Sequence, residues 1–340
     1  MSLRQKHGIV SFVKALIIAS TAGFPIIALN GCASPIKPDP DKVMEAIDYS
    51  RFEGRIAFSR TYPINPESIT FDPYLVVVDA TQKTSKLTRL HGYSPIWKAS
   101  VALSPVADQL VFSSGDKLYT FDSSGVIKKF ADNGPFNWYP VFTHDGQWVV
   151  YLVTNDYSYV YRIKPDGTAN TQLFVYGRTR YINGRISLSP DGTRLTFPIN
   201  AGGANTARVC IANIDGTGYR EIVKAGNNES LYGTAWSWDG NKIAFVSRRG
   251  PNEGNQPPYA FTIMSVDTAG NSLDTICTMH QNSYYCDVYI AWSPDGSHIA
   301  YNQFAAGDVG AHIFVVDTSG GAPVQITSGN SWDSGPSWVH

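Results

Sequence analysis

Ala291-Trp-Ser-Pro-Asp-Gly-Ser-His-Ile-Ala-Tyr301 decides how the rest of the chain is read. A small and an aromatic residue lead into Pro-Asp-Gly, and a run of alternating apolar and polar positions leads out. Pro294 presets φ at the first turn position, Asp295 can bond its own backbone, and Gly296 supplies the positive φ that a returning strand requires. The phrase therefore predicts a β-hairpin. It recurs at Ala235 to Phe245, Ser187 to Phe197 and Val141 to Tyr151, and an eroded copy without the Asp-Gly lies at Ala102 to Phe112. The turn glycines Gly146, Gly192, Gly240 and Gly296 are spaced by 46, 48 and 56 residues, a period that belongs to propeller blades or solenoid units.

Outward from each hairpin, a second apolar run ends in Asp and a short outer strand follows. The runs end at Asp79, Asp122, Asp166, Asp215, Asp267 and Asp317, and Gly follows closely in five of the six. Four strands per period make the blade of a β-propeller. The two ends of the array are complementary. Gly54 to Phe58 matches only the second strand of the hairpin phrase, and Asp333-Ser-Gly-Pro-Ser-Trp-Val-His340 matches only the first. The expected fold is therefore all-β: a six-bladed β-propeller over residues 51–340, closed by the C-terminal strand joining the first blade so that no long sheet edge is left open. Leu103, Phe142, Leu188, Trp236, Trp292 and Trp338 form one repeat column, expected to pack blade against blade. The six run-ending aspartates are expected to form turns, because each lies in a different blade.

The 340 residues are 43% hydrophobic, 13% aromatic and only 16% charged, with a net charge of -1. That composition is of a folded chain, and it offers no basic field for nucleic acid. Residues 1–31 read as a signal peptide, in which Arg4, Lys6 and Lys14 precede an apolar run broken by Gly23 and Pro25. Residues 32–50, with Pro35, Pro38 and Pro40, read as a tether.

Two sequence patterns resemble known families. Leu29-Asn-Gly-Cys32 resembles the lipobox of bacterial lipoproteins, which implies lipidation of Cys32 and attachment to a membrane; the alternative is an ordinary cleavage site. By analogy with lipoprotein sorting, Ala33 after the cysteine implies the outer membrane, with the protein facing the periplasm. The hairpin phrase and the closing Asp-Ser-Gly-Pro-Ser-Trp resemble the TolB-type propeller repeat, over about residues 51–340. That resemblance specifies fold and not function, since related blades serve in TolB, in prolyl peptidases and in oligogalacturonate lyases. TolB carries an α/β domain before its propeller, and here no such domain separates Cys32 from Arg51. The resemblance implies a protein partner, because the TolB propeller receives the lipoprotein Pal at its channel mouth.

No nucleophile elbow, zinc-protease helix motif, P-loop, dinucleotide fingerprint or EF-hand loop occurs in the sequence. No catalytic residue, metal or cofactor is expected, with His91 and His280 the better histidine candidates for a loop site. Cys277 and Cys286 flank a loop and are expected to form a disulfide that staples it, two free buried thiols being the alternative. Cys210 alternates with apolar residues and is expected in a core. The loops that enter each innermost strand all carry an aromatic residue and few charges. They either support turns or form a recognition rim. On the second reading Trp138, Tyr139, Tyr232 and Tyr289 supply contact area and Arg185, Asp287 and Asp333 orient a partner. The function these features lead us to expect is that of a lipid-anchored envelope scaffold that binds a protein or peptide segment. The alternative is a carbohydrate-active lyase or glycosidase on the same frame.

Overall fold

The hairpin phrase folds as its chemistry requires, and the reason lies in one Ser/Thr and one Asp. At each regular turn the hydroxyl of Thr143, Ser189, Ser237 or Ser293 donates to the Asp two residues on, at 2.5–2.6 Å. The same oxygen accepts the N–H of the residue five positions on, at 2.9–3.0 Å. The Asp also accepts the N–H after the glycine, and Gly146, Gly192, Gly240 and Gly296 hold φ between 67° and 77°. Those bonds, from the hydroxyl first and then the backbone N–H, hold the Asp145 and Asp191 carboxyls below the usual carboxylate range. In the eroded copy Ser104 Oγ accepts the N–H groups of Val106 and Ala107 instead, so the turn survives without its Asp-Gly.

The computed structural model describes residues 49, 52–65, 68–90, 92–93, 100–177, 181–200, 206–249, 259–281, 288–304 and 310–340, all within the unit Pro38–His340. The signal, Cys32, the tether apart from Tyr49, His91, Cys286 and Asp287 lie outside the described residues. Six antiparallel sheets follow, ordered from the innermost strand outward. Blade 1 is Trp332–Val339, Arg55–Asn65, Ser68–Asp79 and Thr84–Arg89. Blade 2 is Val101–Leu103, Gln109–Ser114, Lys117–Asp122 and Ile127–Ala131. Blade 3 is Asn137–Phe142, Val149–Thr154, Ser158–Ile163 and Thr171–Tyr176. In blade 4 two short strands, Tyr181–Ile182 and Ser187–Leu188, share the innermost place before Arg194–Asn200, Arg208–Asn213 and Arg220–Lys224. Blade 5 is Glu229–Trp236, Lys242–Arg249, Tyr259–Asp267 and Leu273–Gln281. Blade 6 is Ile290–Trp292, His298–Phe304, Ala311–Asp317 and Val324–Gln325.

The ring closes as the complementary ends predict. Trp332–Val339 pairs antiparallel with Arg55–Asn65, Trp338 opposite Ile56 and Asp333 opposite Arg60. The repeat column is buried in every blade. Around it, six apolar clusters each join one blade to the next, so stability is distributed between blades rather than held in one centre. The run-ending aspartates cap their turns by accepting backbone N–H groups, as at Asp79, Asp122, Asp166 and Asp215.

Closure also carries a buried ion pair. Arg60 donates from Nε and Nη2 to the two oxygens of Asp333 at 2.6 and 2.7 Å, and both side chains are fully buried. Thr327 donates a further hydrogen bond to the same carboxylate. Burial alone would raise the Asp333 pKa, but the charge and hydrogen bonds of Arg60 outweigh it and hold the carboxyl below its ordinary value.

Candidate functional site

The channel is built from one repeat position in six versions. Two residues before the hairpin phrase stand Gly335, Ser100, Tyr139, Arg185, Gly233 and Tyr289, in blades 1 to 6. In blades 1, 3 and 5 the innermost strand is six to eight residues long and is interrupted by a register shift at this position. Gly335, Tyr139 and Gly233 sit in it with φ of 68°, 54° and 32°. In blades 2, 4 and 6 the strand at this point is only two or three residues long and begins just after the position. The propeller thus has an alternating, three-fold character laid over its six blades.

A left-handed conformation is natural for Gly and costs a β-carbon residue about 1 kcal/mol. Blade 3 nevertheless places a tyrosine there. Tyr139 meets Tyr289 of blade 6, the blade opposite, with ring centroids 6.3 Å apart. Its backbone N–H is held by Ser100 Oγ at 3.0 Å. Trp138 packs on Tyr139 and Phe136 packs on Trp138. Phe136 and Tyr181 of the entry segments are exposed. Tyr232 in blade 5 lies under the guanidinium of Arg248, 5.2 Å from the ring centre.

Arg185 crosses the channel from blade 4. Its Nη1 donates to Pro336 O in blade 1 at 2.5 Å, and its Nη2 donates to Val101 O in blade 2 at 3.1 Å. Among the described residues no carboxylate lies within ion-pair distance of it. Burial pulls its pKa down to about 10, which leaves it a cation at neutral pH.

Beyond Arg185, toward the hairpin turns, the channel widens into a chamber of about 90 Å³. Its walls include Leu103, Phe142, Trp236, Trp292 and Trp338 of the column, with Ser187, Thr234 and Ser337 among the polar side chains. Alternation governs this end as well. Two residues beyond the column stand Pro105, Pro190 and Pro294 in the even blades, and His340, His144 and Trp238 in the odd ones. The three larger rings meet: His144 and Trp238 have centroids 4.2 Å apart, and Trp238 and His340 have centroids 5.0 Å apart. Burial first, and the neighbouring His340 further, keep the His144 pKa below its usual value. Among the described residues His144 Nδ1 has no hydrogen-bond partner.

The structure brings together part of the expected rim. Trp138, Tyr139, Arg185 and Tyr289 converge at the channel, whereas Asp287 lies outside the described residues. Three positions are corrected. Asp333, expected to orient a partner, is fully buried and committed to Arg60. Arg185, expected on the rim, is buried inside the channel, just before the short innermost strand of blade 4, and its guanidinium reaches across to blades 1 and 2. Tyr289, just before the short innermost strand of blade 6, is buried against Tyr139. His280 stands in the exposed outer strand of blade 5 and not in a loop. Cys277 is a free thiol buried between blades 5 and 6, with its pKa pushed up to about 11 by that burial. It faces the Tyr301 hydroxyl as a free thiol, and Cys286, the other half of the expected staple, lies outside the described residues. Cys210 is a core residue as expected. Among the described residues no cluster of three or more His, Cys, Asp or Glu is placed to hold a metal ion.

The His144, Trp238 and His340 assembly was not anticipated from the sequence. The available signal was the residue after the Ser/Thr of the hairpin phrase, which departs from Pro in every second copy.

Neither a family model nor a curated protein matches the chain. Solved structures do. A protein of Agrobacterium tumefaciens described as a TolB superposes with a TM-score of 0.57 at 15% identity, covering 83% of this chain and 98% of that one. A chain of a Nidogen/Laminin complex gives 0.57 at 12% identity, covering 84% and 98%. An oligogalacturonate lyase in complex with manganese gives 0.52 at 17% identity, covering 76% and 73%. At these identities the likeness is one of fold, and that fold is the TolB-like six-bladed propeller.

Proposed function

We propose that the protein is a binding or scaffold module of the bacterial envelope, anchored by lipid at Cys32, and that the entry-loop end of its channel receives a segment of a protein partner. The observation that carries this reading is the aromatic line Phe136, Trp138, Tyr139 and Tyr289, exposed at its Phe136 end. One member occupies a backbone conformation that blades 1 and 5 give to Gly. Strain of that kind persists where the side chain is worth its cost, and aromatic side chains give contact area with little loss of rotamer freedom. The TolB-like fold supports an envelope location and a protein ligand by analogy, with a Pal-like lipoprotein as the first candidate.

Cross-linking in intact envelopes, followed by purification of the captured partner, tests the reading. Phe136→Ala and Trp138→Ala, each checked for folding, should weaken the partner at least about tenfold, or about 1.4 kcal/mol. Wild-type affinity in both would move the interface off this end. For the anchor, Cys32→Ala should shift the mature protein from the membrane to the soluble fraction, since lipid attachment there is the proposed source of membrane affinity. The enzymatic alternative is favoured if the purified protein cleaves a uronic-acid polymer, with or without added manganese.

A further inference from the structure

The chamber between Arg185 and the His144, Trp238 and His340 rings gathers donors, and no carboxylate is among the residues that line it. Arg185 brings a cation whose two bonds go to neutral carbonyls. A buried charge without an opposite charge is costly, and a guanidinium does not escape by losing its proton at neutral pH. Ser187 and Ser337 bring hydroxyls from opposite blades, 4 and 1, at the same repeat position. The oxygen of Ser187 accepts the Trp236 N–H at 2.9 Å, and the oxygen of Ser337 accepts the Leu103 N–H at 3.1 Å. Among the described residues neither hydroxyl donates a hydrogen bond of its own, so each keeps a proton to offer. All three side chains line the same cavity of about 90 Å³, which has room for one small oxyanion or a few waters.

We propose that this chamber is an anion site that takes a single oxyanion group, a carboxylate or a phosphate, between the Arg185 guanidinium and the Ser187 and Ser337 hydroxyls. Charge-assisted hydrogen bonds from a guanidinium to an oxyanion are among the strong ones, and a site screened from water strengthens them further. Two sources share this chemistry: a free small anion, or the carboxylate of an acidic side chain that reaches in. The site is separate from the proposed partner surface, and either stands without the other.

Isothermal titration of the full mature protein at constant ionic strength tests it, with inorganic phosphate, acetate and the C-terminally amidated tripeptide Gly-Gly-Asp as probes, and chloride and the C-terminally amidated Gly-Gly-Asn as controls. Saturable binding of phosphate or acetate assigns a free anion. Binding of Gly-Gly-Asp and not of Gly-Gly-Asn assigns an inserted carboxylate. In either case Arg185→Met should abolish binding, and Ser187→Ala with Ser337→Ala should weaken it about tenfold while the guanidinium stays in place. The serine pair also keeps the test alive if Arg185→Met does not fold. Absence of saturable binding by every probe, or equal binding by wild type and the folded variants, would overturn the proposal.

Discussion

Arg60 and Arg185 are both sealed inside the propeller, and they are opposite cases of a buried cation. Arg60 has a fully buried carboxylate in bidentate contact, with Thr327 satisfying that carboxylate from the side. Burial works against its charge, yet Asp333 more than repays it and its pKa is raised. Arg185 has two carbonyl oxygens and a cavity, so burial prevails and its pKa falls. The first arrangement is complete within the fold and locks the seam of the ring. The second is incomplete within the described residues, and an incomplete buried charge beside a cavity is a reason to look for a ligand. One residue type therefore marks structure in one place and a candidate site in another, and the difference lies in the partner.

The comparison breaks most visibly at the seam. Deleting residues 333–340 removes most of blade 1's innermost strand and the counter-ion of Arg60 together. It should abolish the cooperative thermal transition or lower it drastically, far beyond what an eight-residue tail contributes. A transition within a few degrees of wild type would show that the ring does not depend on this closure.

Acid sharpens the comparison, since only one arginine has a titrating partner within the fold. The folded Asp333 carboxyl lies below its unfolded value of about 3.9. Its contribution is therefore fully present above that value and is lost as pH falls through the lower folded value. Urea denaturation of wild type and Asp333→Asn should differ most near neutral pH and converge below about pH 4. Parallel curves down to the lowest pH at which both fold would remove Asp333 from the account. A smaller effect is expected at Tyr139. With φ at 54°, Tyr139→Gly should be more stable than Tyr139→Ala by about 1 kcal/mol, the reverse of their order in an extended strand.

Much of the frame was legible in the sequence because hairpin chemistry is local. Trp-Ser-Pro-Asp-Gly names its own turn, and the broken phrases at Gly54 and Trp338 complete one another. Burial was less legible, because it depends on where six inner strands meet. Asp333 and Arg185 looked like loop charges in the sequence, and each faces a residue far away along the chain. Arg60 was overlooked because nothing near it in sequence carries the opposite charge. The alternation of odd and even blades was present in the text, in Pro105, His144, Pro190, Trp238, Pro294 and His340. It emerges once the copies are read as a ring in which neighbours must fit together, and not as a series of equal repeats.

The most direct test applies one substitution to both arginines. Arg60→Met leaves Asp333 buried without its cation and should cost about 3–5 kcal/mol in urea denaturation. Restoring neutrality with Asp333→Leu in the same chain should return most of it. Arg185→Met leaves no buried carboxylate behind among the described residues and removes two bonds to neutral carbonyls. It should cost less than about 2 kcal/mol. Equal losses at the two positions, or no recovery in the Arg60→Met and Asp333→Leu double variant, would contradict the division of labour between a locked seam and an uncompensated channel cation.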